Sequence, residues 1–176
     1  MLNSKPNNKK YHQGNFIPVN KDKVYKMNNQ GGVFYRSSWE YKIMKWLDMN
    51  ESIVIWGAEC FEIPYEMTHF EAGDFKIKNH RYYPDFFYKM KMSDGSIKEV
   101  VAEVKPQKEY QIVLDLIQGR LSVPKDGNLK KLKSFEYELK LGQKNRDKWE
   151  TMISWCNLKG YEFIIITELH LKKFGM

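Results

Sequence analysis

The strongest constraint on the fold comes from residues 80–105, which contain two strand-like stretches around a short polar loop. The stretches 80–92 and 97–105 are rich in Tyr, Phe and Val, and Ser93-Asp94-Gly95 separates them. Runs of this composition on either side of a glycine-containing loop predict a β-hairpin. We therefore expect a sheet in which alternate residues of the hairpin point to opposite faces.

The length of the loop decides which charged residues share a face. With a three-residue loop and Gly95 in the left-handed conformation, Asp85 sits across from Glu103. With a two-residue loop the register moves by one residue, and Glu103 and Lys105 turn to the face opposite Asp85. In either register, alternate residues of the second strand form an apolar face for the core and a face that carries the charges.

The three-residue loop would bring together the groups that hydrolysis of a phosphodiester needs. Carboxylate and carbonyl oxygens suit Mg²⁺, so Asp85, Glu103 and the Val104 carbonyl are candidate metal ligands. Lys105 is two residues beyond Glu103 and would project beside it, where its ammonium could hold an attacking water and offset charge on the phosphate. Glu40 would complete the metal shell, directly or through water.

Each of these pieces also has a structural explanation. Pro84-Asp85 is typical of a turn, and Glu103-Val104-Lys105 is typical of a solvated strand face. Ser37-Ser38-Trp39-Glu40 fits a helix capping box, which would make Glu40 purely structural. The order of the pieces along the chain, with charges set among Val and Phe, favours the combined site.

Length, composition and net charge indicate the class of protein and the kind of partner that it binds. The 176 residues predict one globular domain, over residues 27–176, because 42% are hydrophobic and 15% aromatic. Residues 1–26 are polar and Lys-rich and predict a basic, flexible arm. The net charge of +7 points to a polyanion, with nucleic acid favoured over a membrane.

Neither an exported protein nor a cysteine-based site is indicated. The first twenty residues contain no apolar segment that could serve as the core of a signal peptide. Cys60 and Cys156 are far apart in sequence and form no Cys-x-x-Cys pair, so we expect reduced, buried thiols. The four histidines show no metal-ligand spacing.

Hydrophobic periodicity predicts a mixture of helices and strands. The hairpin followed by a helix and a buried strand indicates an α/β fold with a mixed central sheet flanked by helices. We expect helices at 37–48, 112–117, 132–141 and 146–158, strands at 53–56, 60–65 and 162–167, and loops at 68–79 and 119–129.

A basic stretch near the end of the chain predicts contacts to phosphates. Residues 125–148 contain eight basic and four acidic residues, although a solvated helix face would have the same composition. The residues that we assign to nucleic-acid binding are Arg36, Lys144, Arg146 and Lys148.

Several short motifs, taken together, resemble one protein family. In chain order they are Tyr35-Arg-Ser-Ser-Trp-Glu40, His80-Arg-Tyr-Tyr-Pro-Asp85-Phe, Glu103-Val-Lys-Pro106, Asn145-x-x-Lys148-Trp149 and Gly160-Tyr-Glu-Phe. From residue 21 onward the chain resembles the head-completion nucleases of tailed bacteriophages. That family is similar to the endonuclease subunit of heteromeric transposases, and both belong to the PD-(D/E)XK superfamily.

The resemblance implies a restriction-endonuclease-like core and a set of roles. It implies metal-binding carboxylates at Glu40, Asp85 and Glu103, with Lys105 as the catalytic lysine and Mg²⁺, or Mn²⁺ in its place, as cofactor. It further implies double-stranded DNA as substrate, and trimming of that DNA at the portal before tail attachment. Phage head, portal or neck proteins would be the partners, in the host cytoplasm during assembly and in the virion head.

Two other functions remain open at this stage. A non-enzymatic head-completion adaptor would keep the fold and the basic surface, and it would bind DNA without turnover. A transposase-type endonuclease would share the catalytic residues but would need a partner to choose its target.

Overall fold

The structure is a computed structural model that describes residues 12–71, 74–125 and 127–173. A short 3-10 turn at Lys21–Lys23 lies between the first two strands. In chain order, the strands and α-helices of the described residues are β1 Gly14–Phe16, β2 Val33–Tyr35, α1 Ser38–Met49, β3 Ile53–Ala58, β4 Ile63–Glu71, β5 Asp74–Tyr82, β6 Phe86–Lys91, β7 Ile97–Val104, α2 Gln107–Ile117, α3 Leu129–Lys159, β8 Glu162–Ile166 and α4 Glu168–Lys173.

A four-stranded sheet in the order β3-β6-β7-β8 forms the centre of the molecule. The first three strands pair antiparallel, whereas β8 runs parallel to β7. A parallel neighbour requires a long crossover, and α2 and α3 supply it between β7 and β8. The predicted mixed sheet flanked by helices is confirmed.

Both faces of this sheet are buried. On one face, α1 packs Ile43, Met44 and Leu47 against strand residues such as Phe86. On the other, α3 packs Met152 and Cys156 in one core cluster with residues of β6 and β7. The alternative explanation of Glu103-Val104-Lys105 as a solvated strand face is therefore wrong, since the helix covers that face and Glu103 is only 2% exposed.

The hairpin between β6 and β7 has the predicted three-residue loop. The Met92 N–H donates to the Ser96 carbonyl at 2.8 Å, and Gly95 has a φ of +86°. Phe86 pairs with Ala102, so continuing the ladder by one step puts Asp85 opposite Glu103. The register that the metal-site hypothesis required is present.

Residues 68–79, which we predicted as a loop, belong largely to a long two-stranded ribbon. Strands β4 and β5 pair antiparallel from Ile63–Tyr82 out to Glu71–Asp74. The ribbon is fixed to α3 because the Thr68 N–H donates to Asp147 Oδ2 at 2.9 Å. The polar composition of the stretch concealed strands whose outer face is exposed to solvent.

Helix α3 is one element of 31 residues, where two separate helices were predicted. Asn128 caps its start by accepting from two backbone N–H groups, and Gly160 ends it with a φ of +72°. Gly142, which lies between the two predicted helices, lets α2 approach closely: a Cβ there would lie 3.1 Å from Ile112 Cγ2. This glycine therefore serves helix packing and does not end the helix.

The segment before α1 differs from the flexible arm predicted for residues 1–26. Residues 1–11 lie outside the described residues, but β1 pairs with β2 and Phe16 belongs to the core. Buried Asp48 accepts the backbone N–H of Val19 at 2.9 Å and that of Asn20 at 3.2 Å. The predicted boundary at residue 26 is thus wrong for the part of the segment that the structure describes.

Across the described residues, none of the helices combines the length and apolar composition that crossing a lipid bilayer requires.

Candidate active site

Two carboxylates meet at one end of the central sheet. Asp85 directly precedes β6, and Glu103 is the penultimate residue of β7. Asp85 Oδ2 accepts the backbone N–H of Val104 at 2.7 Å, which holds its side chain against the neighbouring strand. The loop geometry of the hairpin and this hydrogen bond together fix the aspartate beside the glutamate.

The environment of Asp85 opposes its negative charge. Burial raises its pKa most, and the charge of Glu103 raises it further. The Val104 N–H and the Lys105 ammonium act in the opposite direction without cancelling the rise. A cation placed between the two carboxylates would relieve this repulsion and let both stay ionised.

Lys105 faces the same carboxylates. Its Nζ lies 2.9 Å from Glu103 Oε1. Burial tends to lower the pKa of Lys105, but the charge and hydrogen bond of Glu103 outweigh it, and the pKa is raised. The lysine therefore keeps its positive charge at this end of the sheet.

Tyr82 holds the other oxygen of Glu103, a contact that the sequence did not reveal. Its hydroxyl donates to Glu103 Oε2 at 2.7 Å, and the tyrosine is 1% exposed. Burial, followed by the charge of Glu103, raises the pKa of Tyr82, so it remains a hydrogen-bond donor. Its only sequence signal was its place three residues before Asp85, in an aromatic stretch typical of any buried strand.

Lys148 reaches the site from α3. Its Nζ lies 4.9 Å from the centroid of the Tyr82 ring. Burial lowers the pKa of Lys148, while the nearby charges of Glu103 and Asp85 act to raise it. We predicted Lys148 as a nucleic-acid contact, and the structure brings it beside the carboxylates.

A second polar pair borders the site, and sequence reasoning missed it too. Asn145 on α3 is buried, and its Nδ2 lies 3.5 Å from Glu109 Oε2 on α2. The charge of Glu109 also contributes to the raised pKa of Lys105. Asn145 lay in a motif of the sequence, but nothing in the pattern predicted its partner.

Glu40 forms the capping arrangement and also lies near the carboxylate pair. The Ser37 hydroxyl donates to Glu40 Oε1 at 2.8 Å, the Glu40 N–H donates to Ser37 Oγ at 3.1 Å, and the Arg36 N–H donates to Glu40 Oε2 at 2.9 Å. Its charge contributes to the raised pKa of Asp85. Among the described residues, no three Asp, Glu, His or Cys side chains form a ready-made metal cluster.

Of the other predicted DNA contacts, some lie near the carboxylate pair and one does not. Arg36 pairs with Glu59, whose backbone N–H donates to the Asp85 carbonyl at 3.2 Å, so Arg36 lies near the site. Lys144 is exposed and close enough to Lys148 to help lower its pKa. Arg146 is about 200° around α3 from Lys144, and it pairs with Glu150 at 2.8 Å. The structure therefore does not bring Arg146 together with the other site residues.

Comparison with known proteins gives the family of this chain. The sequence model described as TnsA-like endonuclease N terminal matches residues 50–168. The chain belongs to this endonuclease family. The matched range contains Asp85, Glu103, Lys105 and Lys148, whereas Glu40 precedes it.

A curated relative extends the similarity over nearly the whole chain. The protein named head completion nuclease from Enterobacteria phage T4 is 32% identical over 164 residues, which cover 93% of this chain and 96% of that protein. The predicted resemblance and fold class are confirmed by these two matches. No solved structure matches the chain.

Proposed function

We propose that this chain is a Mg²⁺-dependent DNA endonuclease, with Mn²⁺ able to replace Mg²⁺, that hydrolyses phosphodiester bonds. The observation that carries the proposal is the juxtaposition of Asp85 and Glu103, with Lys105 bonded to the latter. Membership of an endonuclease family supports the reaction class.

The donor set fits a hard divalent cation. Asp85, Glu103 and the Val104 carbonyl would hold it through oxygen, with Glu40 reaching it directly or through water. When bound, such an ion polarises a phosphoryl oxygen and lowers the pKa of a water. Two adjacent carboxylates, one with its pKa raised by burial and by the other's charge, are the surroundings that favour a bound cation.

Three further residues of the site would each have a separate role. Lys105 would place its ammonium against the attacking water and the scissile phosphate, where negative charge builds in the transition state. Tyr82 would keep Glu103 in one orientation through its hydrogen bond, which makes it a positioning residue. Lys148 would contribute a second positive charge beside the phosphate.

The biological role that we propose is completion of the DNA-filled phage head. The name of the T4 relative and the length of the alignment with it support this assignment. In this role the enzyme would act on double-stranded DNA and trim it at the portal before tail attachment. It would work in the host cytoplasm beside head, portal or neck proteins, and it could remain in the virion head.

A transposase-type endonuclease is the second candidate, because the matching family model is TnsA-like. Such an enzyme would use the same four catalytic residues but would take its target from a partner protein. Purified protein that cuts DNA without any partner favours the head-completion role.

The decisive experiment compares cleavage by the wild-type protein and Lys105→Ala. Supercoiled, linear and branched DNA are incubated with Mg²⁺, Mn²⁺ or chelator, and circular dichroism checks the fold of each variant. We expect cleavage only with a metal, and a fall of about 100-fold or more in Lys105→Ala. Lys98→Ala, which removes a partly exposed lysine that pairs with Glu162 on the same sheet, is the matched control. Undiminished cutting by Lys105→Ala would remove the proposal.

A further inference from the structure

A groove of about 500 Å³ lies between α3 and the β4–β5 ribbon. Its helix wall includes Tyr137, Lys140 and Lys144, and its ribbon wall includes Met67 and His69. A recess of this volume is the size of a small-ligand site, so it has room for one or two nucleotides and not for a duplex. The bond from Thr68 to Asp147 holds the two walls together.

A row of cations connects the groove to the candidate active site. Lys140, Lys144 and Lys148 follow one another at four-residue intervals, so they lie on one face of α3 about 6 Å apart. The first two lie in the groove, and the third is beside Tyr82 in the site. A row of cations along one face suits the phosphate backbone of a single strand, which basic grooves follow.

The ribbon wall leads to the same site through a series of ring contacts. The His69 and His80 rings are 5.3 Å apart, His80 lies 5.7 Å from Tyr65, and Tyr65 lies 6.3 Å from Tyr82. Tyr82 in turn bonds Glu103. Because Tyr65 and Tyr82 are buried, this series of rings lies beneath the surface and fixes the ribbon wall in position next to the carboxylate pair, while the lysines of α3 provide the exposed route between groove and site.

The exposed ring of Tyr137 favours single-stranded over double-stranded DNA as the ligand of the groove. This tyrosine is 66% exposed, so its ring is available to a ligand at the edge of a basic row. Aromatic rings beside lysines bind single strands because an unpaired base offers its face for stacking. In a duplex those faces are covered by the neighbouring base pairs, so an exposed ring gains little from it.

We infer that this groove binds the single-stranded part of a DNA substrate and leads it to the carboxylates. The inference rests on the proposed nuclease function and specifies its substrate class, DNA that carries a single-stranded tail or gap. Tyr137 stacks on a base, and Lys140 and Lys144 contact phosphates.

Binding without cleavage tests this inference. Full-length protein in chelator is titrated onto a fluorescent ten-nucleotide single strand and onto a blunt duplex of the same sequence. Tyr137→Leu keeps an apolar side chain but removes the ring, and we expect it to bind the single strand about tenfold more weakly while duplex affinity is unchanged. Tyr137→Phe keeps the ring and should bind like the wild type.

Removal of a groove lysine gives an independent readout. Lys144→Ala should weaken single-strand binding and reduce the slope of log affinity against log salt by about 0.7, the value for one lost phosphate contact. Lys159→Ala is the matched control, since it lies on the same helix about 22 Å from Lys144 and should leave the slope unchanged.

The outcomes separate this inference from the nuclease proposal. If Tyr137→Leu binds both DNA forms like the wild type, or loses both equally, the single-strand groove is wrong, whether or not the protein cuts DNA. If the wild type cuts no DNA in Mg²⁺ or Mn²⁺ but Tyr137→Leu loses single-strand binding alone, the groove stands and the nuclease proposal falls.

Discussion

At the scale of single residues, Glu103 is the point at which the interactions of the site meet. One carboxylate oxygen lies 2.9 Å from Lys105 Nζ, and the other accepts the hydroxyl of Tyr82 at 2.7 Å. Burying a carboxylate costs free energy unless it is hydrogen-bonded or paired with a cation, so these two partners stabilise the folded protein. A change in either partner should therefore affect both stability and catalysis.

Tyr82→Phe tests this link because it removes only the hydroxyl. The buried carboxylate loses a donor, so we expect a loss of about 1 to 3 kcal/mol in the free energy of unfolding, measured in urea. The Mg²⁺ concentration that gives half-maximal cleavage should rise about tenfold, since Glu103 is less well oriented. Tyr88→Phe, which changes a buried tyrosine in the other core cluster, is the control. An unchanged Mg²⁺ titration would show that Tyr82 is structural only.

Glu40→Gln separates the two roles of Glu40. The amide oxygen of glutamine can still accept the Arg36 N–H, and its NH2 group can donate to Ser37 Oγ in place of the bond that it received, so the cap should survive and the melting temperature should change little. The negative charge near Asp85 is lost, however, and we expect cleavage to fall at least tenfold if Glu40 supports the metal. Normal cleavage at a normal melting temperature would leave Glu40 with the capping role alone.

At the scale of elements, the β6–β7 hairpin was predictable because its information is local. Gly95 and the alternation of apolar residues predicted the hairpin and limited its loop to two or three residues, and the structure has the three-residue loop that the metal-site hypothesis required. The β4–β5 ribbon was not predictable from its polar sequence, because its contact with α3 is made by residues distant in the chain, as Thr68 and Asp147 illustrate. The continuity of α3 through Gly142 was not predictable for the same reason, since this glycine allows close packing against Ile112, a residue distant in the chain.

Gly95→Ala tests the contribution of the loop. A φ of +86° is unfavourable for any residue with a Cβ, so we expect a loss of about 1 to 2 kcal/mol in the free energy of unfolding. The ladder from Phe86 to Ala102 should keep its register, and cleavage per folded molecule should be unchanged. Urea denaturation and a cleavage assay at low temperature measure the two effects, with Ser93→Ala as the control in the same loop. A loss of cleavage without a loss of stability would mean that the register depends on the glycine itself.

At the scale of the whole molecule, the site is assembled from distant parts of the chain. Asp85, Glu103 and Lys105 could be predicted together because one hairpin carries all three. The approach of Lys148 and Asn145 could not, because it depends on how α3 packs over the sheet, and no local pattern encodes that arrangement. Local pattern therefore predicted that these acids and Lys105 lie together, and only the fold revealed the groups around them.

The two cysteines, which lie on the α3 side of the sheet, should make the stability of the protein depend on pH. Burial raises the pKa of Cys60 and of Cys156 to about 11, from 9.0. A raised pKa means that the folded state favours the neutral thiol, so this contribution to stability is present below pH 9 and is lost as the pH rises toward 11. The unfolding free energy of the wild type should thus fall more between pH 9 and 11 than that of Cys156→Ala. Parallel pH curves for the two proteins would contradict this account.

Asp48 ties the N-terminal segment to the rest of the molecule. It is fully buried and accepts two backbone N–H groups, from Val19 and Asn20, while its own carbonyl accepts the Asn20 amide at 2.9 Å. Asp48→Ala would leave these donors without their partner, and we expect a loss of about 3 kcal/mol in the free energy of unfolding.

The same substitution should also release the segment locally, which distinguishes it from a general loss of stability. Because the Val19 and Asn20 N–H groups lose the carboxylate, the loosened segment should be cut by trypsin at Lys21 or Lys23 well before the rest of the domain, although the bonds from Lys23 to the backbone carbonyls of residues 48 and 50 remain possible. Mass spectrometry of timed digests identifies the cuts, and Asp22→Ala, a change within the segment itself, serves as the control. Digestion of Asp48→Ala that starts elsewhere would mean that strand β1 and Phe16 hold the segment without the aspartate, and that the packed N-terminus depends on its apolar contacts.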